Sequence, residues 1–261
     1  MKKQIKSFLG SIRSLYFRLK TKQYKHIKYS FFPNPKSRVW IISFAGFPGF
    51  GKPPVYNYMK TLHNLHVNKL FLLDDFGYSE ALGSYYLGEN GNWFLPQEIP
   101  ELLRLLQAGQ DDTITITVGS SKGGTSALYY ALLCQAQYTV IGAPQYHIGD
   151  YLKSPAHRPM LKAICGSDSE EAIAMLNRLV PEAIHNYGDA EKPTVFVHYS
   201  PNEHTYPEHI KDMILDLKEN GFPVEEDGAY SYTQHSDVAK TFPNVLLNKV
   251  KEIVRAHGEN A

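Results

Sequence analysis

The glycine pattern of residues 117–128, TVGSSKGGTSAL, most restricts how this chain can fold. An alternating run, TITIT, precedes it, and a small-residue run with a helical pattern follows it. Gly119-Ser120-Ser121-Lys122-Gly123 fits G-x-S-x-G, a sharp turn between a strand and a helix. Side chains at the two glycine positions would collide with the neighbouring strand and helix, and the central residue is held in a strained conformation. The pattern predicts that Ser121 projects its hydroxyl as a nucleophile.

Two phosphate-binding patterns fit the same stretch less well. A P-loop has its lysine after the second glycine, whereas Lys122 precedes the glycine pair. The dinucleotide fingerprint G-x-G-x-x-G fails because a serine fills the second glycine position. We favour the nucleophile elbow of α/β hydrolases, with a plain glycine-rich turn as the alternative.

Apolar runs alternate with helical patterns after residue 38, which predicts parallel β-α-β units in a three-layer α/β sheet. Predicted strands are Val39–Phe44, Lys69–Leu73, Thr113–Val118, Tyr138–Gly142, Thr194–Tyr199 and, more weakly, Val224 to about Tyr232. Predicted helices are Val55–Leu65, Pro96–Gln107, Gly124–Gln135, Pro207–Asn220 and Asn244–His257. We expect one α/β-hydrolase domain over 38–261, with a helical cap insertion at about 148–192, after a basic extension over 1–37.

The N-terminal part of the chain is strongly basic. Residues 1–73 contain 14 lysines and arginines and no acidic residue, although the whole chain has a net charge of +1. Apolar residues three and four apart in residues 1–28 predict an amphipathic helix with a basic face. Such a helix can lie on an anionic membrane surface, or dock on the domain or a partner. The asymmetry favours an anionic surface or polymer as a partner, unless acids and bases intermix on folding.

Composition limits the location and the class of site. The chain is 43% hydrophobic and 20% charged, and no run approaches the roughly 18 apolar residues of a membrane span. Cys134 and Cys165 are too few for a disulfide framework and lack metal-ligand spacing. Arg13 and Arg18 interrupt the apolar stretch that a signal peptide would need. We expect a cytoplasmic protein, with a peripheral position at the inner face of the membrane as an option, and no bound metal, bound cofactor or nucleic acid.

A serine nucleophile needs a base and an acid, which follow it in the order acid, then histidine, in α/β hydrolases. His235 lies in SYTQHSDVAKTFP, between the last predicted strand and the last helix, where the base is expected. Glu203, in SPNEHTYPEH, is the only carboxylate of its loop before the next helix. It would orient the imidazole and favour the imidazolium. Weaker candidates for the acid are Glu208, Asp237 and Asp75.

An oxyanion hole needs two backbone N–H groups aimed at the developing charge. The residue after the nucleophile, Lys122, should supply one of them. The loop after the first predicted strand, SFAGFPGFGKPP, should supply the other, from Gly46 or Phe47. Its glycines would let a substrate approach the backbone closely.

Four segments, GSSKGGTSALYYAL, SFAGFPG…VYNYMKTL, FLLDDFG…GSYYLGENG and IGAPQYHIGDYL, resemble a family of bacterial α/β-hydrolase-fold proteins. These are capsular polysaccharide O-acetyltransferases and related proteins of the accessory secretion system for glycosylated adhesins. The resemblance covers roughly residues 38–257. It implies a Ser-Asp-His triad, with Ser121 at the nucleophile and His235 at the base. Where the family usually has Asp, this loop offers Asn202 and Glu203, and Glu can serve with a longer reach.

The resemblance also implies the reaction, which is transfer of acetyl from acetyl-CoA, as co-substrate, to a sugar hydroxyl of a capsular or cell-surface polysaccharide. An anionic polymer would suit the basic N-terminal part. Two alternatives stay open. One is a carbohydrate esterase that removes acetyl groups with the same triad. The other is a non-catalytic adaptor that contacts a capsule or secretion complex at the membrane through residues 1–28.

Overall fold

An eight-stranded, mostly parallel sheet forms the centre of the described chain. The computed structural model describes residues 21–49, 51–78 and 81–260. The strands are β1 (Lys22–Tyr24), β2 (Ile27–Phe32), β3 (Val39–Ser43), β4 (Asn68–Leu73), β5 (Gly77–Tyr78), β6 (Ala81–Leu82), β7 (Ile114–Ser120), β8 (Tyr138–Gly142), β9 (Thr194–His198) and β10 (Val224–Asp227). The sheet order is β1-β2-β4-β3-β7-β8-β9-β10, and β5 pairs with β6 separately. β2 is antiparallel to β1 and β4, and the other neighbouring strands of the large sheet are parallel.

Helices flank this sheet on both faces. They are α1 (Leu95–Gln107), α2 (Lys122–Leu133), α3 (Ile148–Leu152), α4 (Arg158–Cys165), α5 (Glu170–His185), α6 (Lys211–Glu219) and α7 (Val238–Ala256). All five residues of β3 are buried, and successive side chains of a strand point to opposite faces, so both faces of the sheet are covered there. In the described ranges, no helix combines the length and apolar character needed to cross a membrane.

The predicted strands are confirmed, although the last one ends at Asp227 rather than at about Tyr232. Most predicted helices are confirmed too, although the last one begins at Val238 rather than at Asn244. The predicted helix Val55–Leu65 is wrong, because this segment is a series of turns. Tyr58 has a φ of 61°, which an α-helix does not allow. The apolar spacing that suggested a helix comes instead from Met59, Leu62 and Leu65, which are buried beneath these turns.

The end of the predicted N-terminal helix is also wrong. Residues 22–28 form β1 and the start of β2, an antiparallel hairpin that turns at Lys25, where φ is 46°. Ile27 and Tyr29 are buried two positions apart, which is the period of a strand. The large sheet thus begins inside the predicted extension, while residues 1–20 of the predicted helix lie outside the described residues. The capping role of α3, α4 and α5 stays a prediction.

Some basic residues of the N-terminal part find acidic partners from later in the chain. Lys25 pairs with Glu101 of α1, and the Lys28 ammonium lies 2.5 Å from the Asp75 carboxylate. At these positions the acids and bases intermix on folding. The positive potential expected from the sequence is therefore reduced around β1 and β2.

The connection from β7 to α2 is so tight that two of its positions have no room for a side chain. A Cβ atom at Gly119 would lie 2.1 Å from the carbonyl oxygen of Gly123. A Cβ atom at Gly123 would lie 2.5 Å from the carbonyl oxygen of Phe44, just beyond β3. These backbone contacts cannot relax as a flexible side chain could. The glycines of the motif are therefore required by packing.

We predict that Gly123→Ala destabilises the protein by about 3 kcal/mol, because the added methyl forces backbone atoms apart. Gly188→Ala is the matched control, since its Cβ would meet nothing within 4 Å. An alanine held at the φ of 75° found at Gly188 should lower the free energy of unfolding by only about 1 kcal/mol. Guanidinium unfolding measures both values. Equal losses for the two variants would show that the close contact at Gly123 is unimportant.

Candidate active site

Ser121 occupies the turn between β7 and α2 in a conformation that few residues adopt. Its φ is 53° and its ψ is −130°, and holding a non-glycine residue in such a region costs on the order of 1–3 kcal/mol. The Ser121 N–H donates to the carbonyl of Gly142, at the end of β8, over 2.8 Å. The strain and this hydrogen bond hold the side chain out at the carboxyl edge of the sheet, as expected for a nucleophile elbow.

The three residues predicted for a triad lie in hydrogen-bond contact. The Ser121 Oγ is 2.8 Å from His235 Nε2, and His235 Nδ1 is 3.2 Å from Glu203 Oε1. His235 stands in the short turn His235–Asp237 before α7, and Glu203 in the loop after β9. Because Nδ1 faces a carboxylate, it carries the proton, and Nε2 is free to accept the serine proton. The geometry allows general-base activation of Ser121.

The Glu203 carboxylate is buried but well supplied with donors. Burial opposes its ionisation, yet the hydrogen bonds from His235 and Thr205 outweigh that effect and lower the pKa of Glu203. The Thr205 hydroxyl and backbone N–H both donate to this carboxylate. An ionised Glu203 can therefore hold the His235 tautomer and stabilise the imidazolium.

The weaker candidates for the acid all have other partners. Glu208 is 3.1 Å from the exposed His204, Asp237 pairs with Lys240, and Asp75 pairs with Lys28. Asn202, the other residue offered by the acid loop, is exposed. Of the predicted acid candidates, the structure brings only Glu203 to His235.

One cluster near the triad has metal-ligand geometry. Ligand atoms of Glu203, His204 and His235 lie within 4.8 Å of one another. Glu203 and His235 already share a hydrogen bond, so the triad accounts for the proximity of these two residues. The expectation of no bound metal stays a prediction.

The loop after β3 runs beside the elbow, as an oxyanion loop would. A Cβ atom at Gly46 would lie 3.4 Å from the carbonyl oxygen of Ser120. The preceding N–H, of Ala45, donates over 2.7 Å to the Tyr86 hydroxyl, which in turn donates to the carbonyl of Leu72. Lys122 opens α2, where the first N–H groups of a helix have no partner within it. The oxyanion roles of Gly46 and Lys122 stay predictions.

The Lys122 side chain takes part in a buried ion pair that the sequence did not suggest. Its ammonium lies 2.5 Å from the carboxylate of Asp74, just after β4, and both side chains are at most 1% exposed. Asp74 also accepts from the N–H and hydroxyl of Ser84 and from the N–H of Tyr86. One carboxylate therefore links the elbow to the segment that carries Tyr86, and through Tyr86 to the loop after β3.

The second serine of the motif has a different environment. Ser120 ends β7, and its hydroxyl lies 2.5 Å from that of Tyr58. Burial raises the pKa of Tyr58 to about 12, so its hydroxyl stays protonated near neutral pH. Within the part of the chain that the structure describes, Ser120 bonds to Tyr58 and to no histidine, whereas Ser121 bonds to His235, so Ser121 is the candidate nucleophile.

One cavity opens at the triad, and a second cavity adjoins it. The first, of about 300 Å³, exposes the Ser121 and His235 side chains beside Gly46 and Phe47. The second, of about 490 Å³, is lined by His204, Glu208 and other polar residues. Tyr151 and His157, both from the predicted cap insertion, line both cavities.

No protein-family model matches the chain, and no curated protein matches its sequence. In structure it is similar to the capsule O-acetyltransferase of Neisseria meningitidis serogroup A, with a TM-score of 0.74 and 19% identity over 89% of this chain and 93% of that one. A mutant of that enzyme in complex with CoA gives a TM-score of 0.69 and 18% identity over 88% and 93% of the two chains.

Two further similarities extend the comparison. The glycosylation-associated protein complex Gap123 of Streptococcus agalactiae gives a TM-score of 0.70 and 14% identity over 90% of this chain and 46% of that one. An S-formylglutathione hydrolase of Agrobacterium tumefaciens gives a TM-score of 0.55 and 12% identity over 87% of this chain and 91% of that one. At these identities the similarity establishes the fold. The chain has the α/β-hydrolase fold, as the sequence predicted.

The buried ion pair gives a testable prediction. Asp74→Asn or Lys122→Met alone should lower the free energy of unfolding by about 3 kcal/mol, because each leaves a buried charge without its partner. The double variant should lose clearly less than the sum of the two single losses. Denaturant unfolding measures all three, and the exposed ion pair of Arg158 with Asp168 serves as control, with little effect expected for Arg158→Met. Additive losses at Asp74 and Lys122 would contradict the coupling.

The lowered pKa of Glu203 predicts how its contribution to stability depends on pH. An unfolded Glu titrates near 4.3, so an ionised Glu203 stabilises the fold above that pH and loses this effect as pH falls through its lower folded pKa. Wild type should be more stable than Glu203→Gln at pH 7, and this difference should shrink as pH falls below the unfolded value of about 4.3. Glu219→Gln, at an exposed site, should have the same stability as wild type at each pH. A difference that stays constant with pH would contradict the lowered pKa.

Proposed function

We propose that this protein is an O-acetyltransferase that moves acetyl from acetyl-CoA to a sugar hydroxyl of a bacterial cell-surface polysaccharide. The observation that carries the proposal is the hydrogen-bonded series Ser121, His235 and Glu203 at the mouth of a cavity. The similarity along most of both chains to a capsule O-acetyltransferase that was also solved with CoA supports the choice of acyl donor.

In the first half-reaction, His235 Nε2 takes the proton of the Ser121 hydroxyl as Oγ attacks the thioester carbonyl. Glu203 stabilises the imidazolium that forms. The N–H groups of Lys122 and Gly46 stabilise the oxyanion. The C–S bond breaks, the proton passes from His235 to the departing sulfur, and CoA leaves as a thiol. The product is acetyl-Ser121.

In the second half-reaction, a sugar hydroxyl takes the place of CoA. His235 accepts its proton as the sugar oxygen attacks the acetyl carbonyl. The bond from the carbonyl carbon to Ser121 Oγ breaks, and the proton returns to Oγ. The same groups act in both half-reactions, as covalent catalysis in two steps requires.

We assign the two cavities to the two substrates. A transferase must hold a second substrate next to the acyl-serine, and the cavities meet at Tyr151 and His157 beside the triad. The ring of Tyr151 stacks on Phe47, with 6.5 Å between centroids, and on His157, with 4.7 Å between centroids, and these rings supply an aromatic lining. The basic residues of 1–73 other than the paired Lys25 and Lys28 favour an anionic acceptor, and residues 1–28 are the proposed contact with a membrane or capsule complex.

The experiment follows radiolabelled acetyl from acetyl-CoA into purified anionic and neutral polysaccharides, with CoA thiol release measured in parallel. Wild type should acetylate a polysaccharide, Ser121→Ala should not, and Glu203→Gln should lose about 10³- to 10⁴-fold in kcat. Glu219→Gln is the control and should match wild type.

Other outcomes would replace the proposal. Thiol release with free acetate as the only acetyl product would indicate a thioesterase. Removal of acetyl groups from an acetylated polysaccharide, without transfer, would indicate an esterase. A Ser121→Ala variant as active as wild type would rule out the mechanism.

A further inference from the structure

Gln145 contacts the candidate nucleophile, although the triad scheme gives it no role. Its side-chain Nε2 lies 2.8 Å from Ser121 Oγ and 3.4 Å from His235 Nε2. The residue is 0% exposed and follows β8 by three positions. An amide this close to both reacting groups must affect their hydrogen bonding.

The backbone of Gln145 is fixed from both sides by one residue of α2. The N–H of Gln145 donates to the Thr125 hydroxyl over 2.8 Å, and that hydroxyl donates to the Gln145 carbonyl over 3.0 Å. The Gln145 side chain is held at its far end too, because the Tyr85 hydroxyl donates to Oε1 over 3.4 Å. Burial keeps the pKa of Tyr85 well above its ordinary value, so this donor stays protonated.

The hydrogen-bond partner of the Gln145 side chain, Tyr85, belongs to a segment that is also linked to the elbow. Tyr85 stands between Ser84 and Tyr86, the two residues whose N–H groups donate to Asp74. Asp74 pairs with Lys122, the residue after the nucleophile. These hydrogen bonds, together with the covalent chain at Ser121–Lys122 and at Ser84–Tyr86, therefore close a circuit from Ser121 through Asp74 and Gln145 back to Ser121 Oγ.

The protons at Ser121 Oγ can be assigned one by one. His235 Nδ1 carries a proton towards Glu203, so Nε2 accepts from the serine hydroxyl. One lone pair of Oγ then accepts from Gln145, whose Oε1 is occupied by Tyr85 and whose Nε2 is the donor, and the other lone pair is left for attack. When His235 removes the serine proton, the negative charge that develops on Oγ already has an N–H pointed at it.

We propose that Gln145 is a catalytic residue whose amide N–H orients the Ser121 hydroxyl towards His235 and stabilises the charge on Oγ during attack. A hydrogen bond to a developing charge strengthens as the charge grows, so it favours the transition state over the resting state. The identity of the natural acyl donor rests on the proposed function, but the role of Gln145 concerns the activation of Ser121 itself.

The test measures the rate at which a fluorophosphonate labels Ser121, which needs no natural substrate. The serine oxygen forms a bond to phosphorus, fluoride leaves, and His235 takes the proton. Gln145→Leu, which lacks the donor, should be labelled about 10- to 100-fold more slowly. Gln145→Glu should be slower still, because it can still accept from Tyr85 but sets a carboxylate oxygen against Oγ. Gln145→Asn has a side chain that is one methylene shorter, which moves the donor away from Oγ. Its labelling rate should be as low as that of Gln145→Leu.

The matched control is Gln137→Leu. Gln137 is also a hydrogen-bonded glutamine, but it lies at the opposite end of β8, where its Oε1 accepts from the N–H of Thr115. Its labelling rate should stay within about twofold of wild type, as expected for a site outside the reaction. Thermal unfolding of each variant identifies those that are folded at the assay temperature, and only these are compared.

The outcomes separate this inference from the proposed function. A folded Gln145→Leu or Gln145→Asn variant labelled within about twofold of wild type would overturn the role of Gln145, since a lost hydrogen bond to charge costs more than that. Wild type that is labelled at Ser121 but not acetylated by acetyl-CoA would overturn the proposed donor and leave the Gln145 result intact. Wild type that is not labelled would overturn both.

Discussion

The carboxylate of Asp74 is the interaction on which the site most depends. It is buried, and it receives Lys122 from the elbow and three donors from Ser84 and Tyr86. Two buried charges are stable only if their remaining hydrogen-bonding capacity is satisfied, and here it largely is. Tyr86 then anchors the N–H of Ala45, one residue before Gly46. The turn that carries Ser121 and the predicted oxyanion loop, which are far apart in sequence, are thus both linked to a single group.

The backbone of the elbow is strained at Ser121, and the surrounding residues must keep it in that conformation. Ser121 keeps an unfavourable φ and ψ because the Gly119–Gly123 contact and the hydrogen bond to Gly142 leave the backbone no alternative. The same rigidity sets the 2.8 Å separations of Oγ from both His235 and Gln145. A preorganised site of this kind needs little rearrangement when charge develops, which is how protein electrostatics accelerate acyl transfer.

The sequence was sufficient to predict the parts of the site that follow from local rules. Ser121 came from a motif whose glycines have a packing reason, and His235 and Glu203 came from chain order and from the loops after strands. Asp74, Tyr86 and Gln145 were not predicted as site residues, because their roles depend on contacts between loops that no local pattern specifies. A signal was available, since Asp74 and Gln145 both come soon after strands that end at the same edge of the parallel sheet. The β1–β2 hairpin was missed because the basic helical pattern was extended to residue 28, over residues that pair with each other in the hairpin.

The most direct test of the central claim, that Ser121 is acylated by the triad, is intact-protein mass spectrometry after brief mixing with acetyl-CoA. Wild type should gain the mass of one acetyl group, peptide mapping should place it on Ser121, and adding the polysaccharide acceptor should remove it. Ser121→Ala should gain nothing under the same conditions. An acetyl group at any other residue, or an equal gain in Ser121→Ala, would contradict the account.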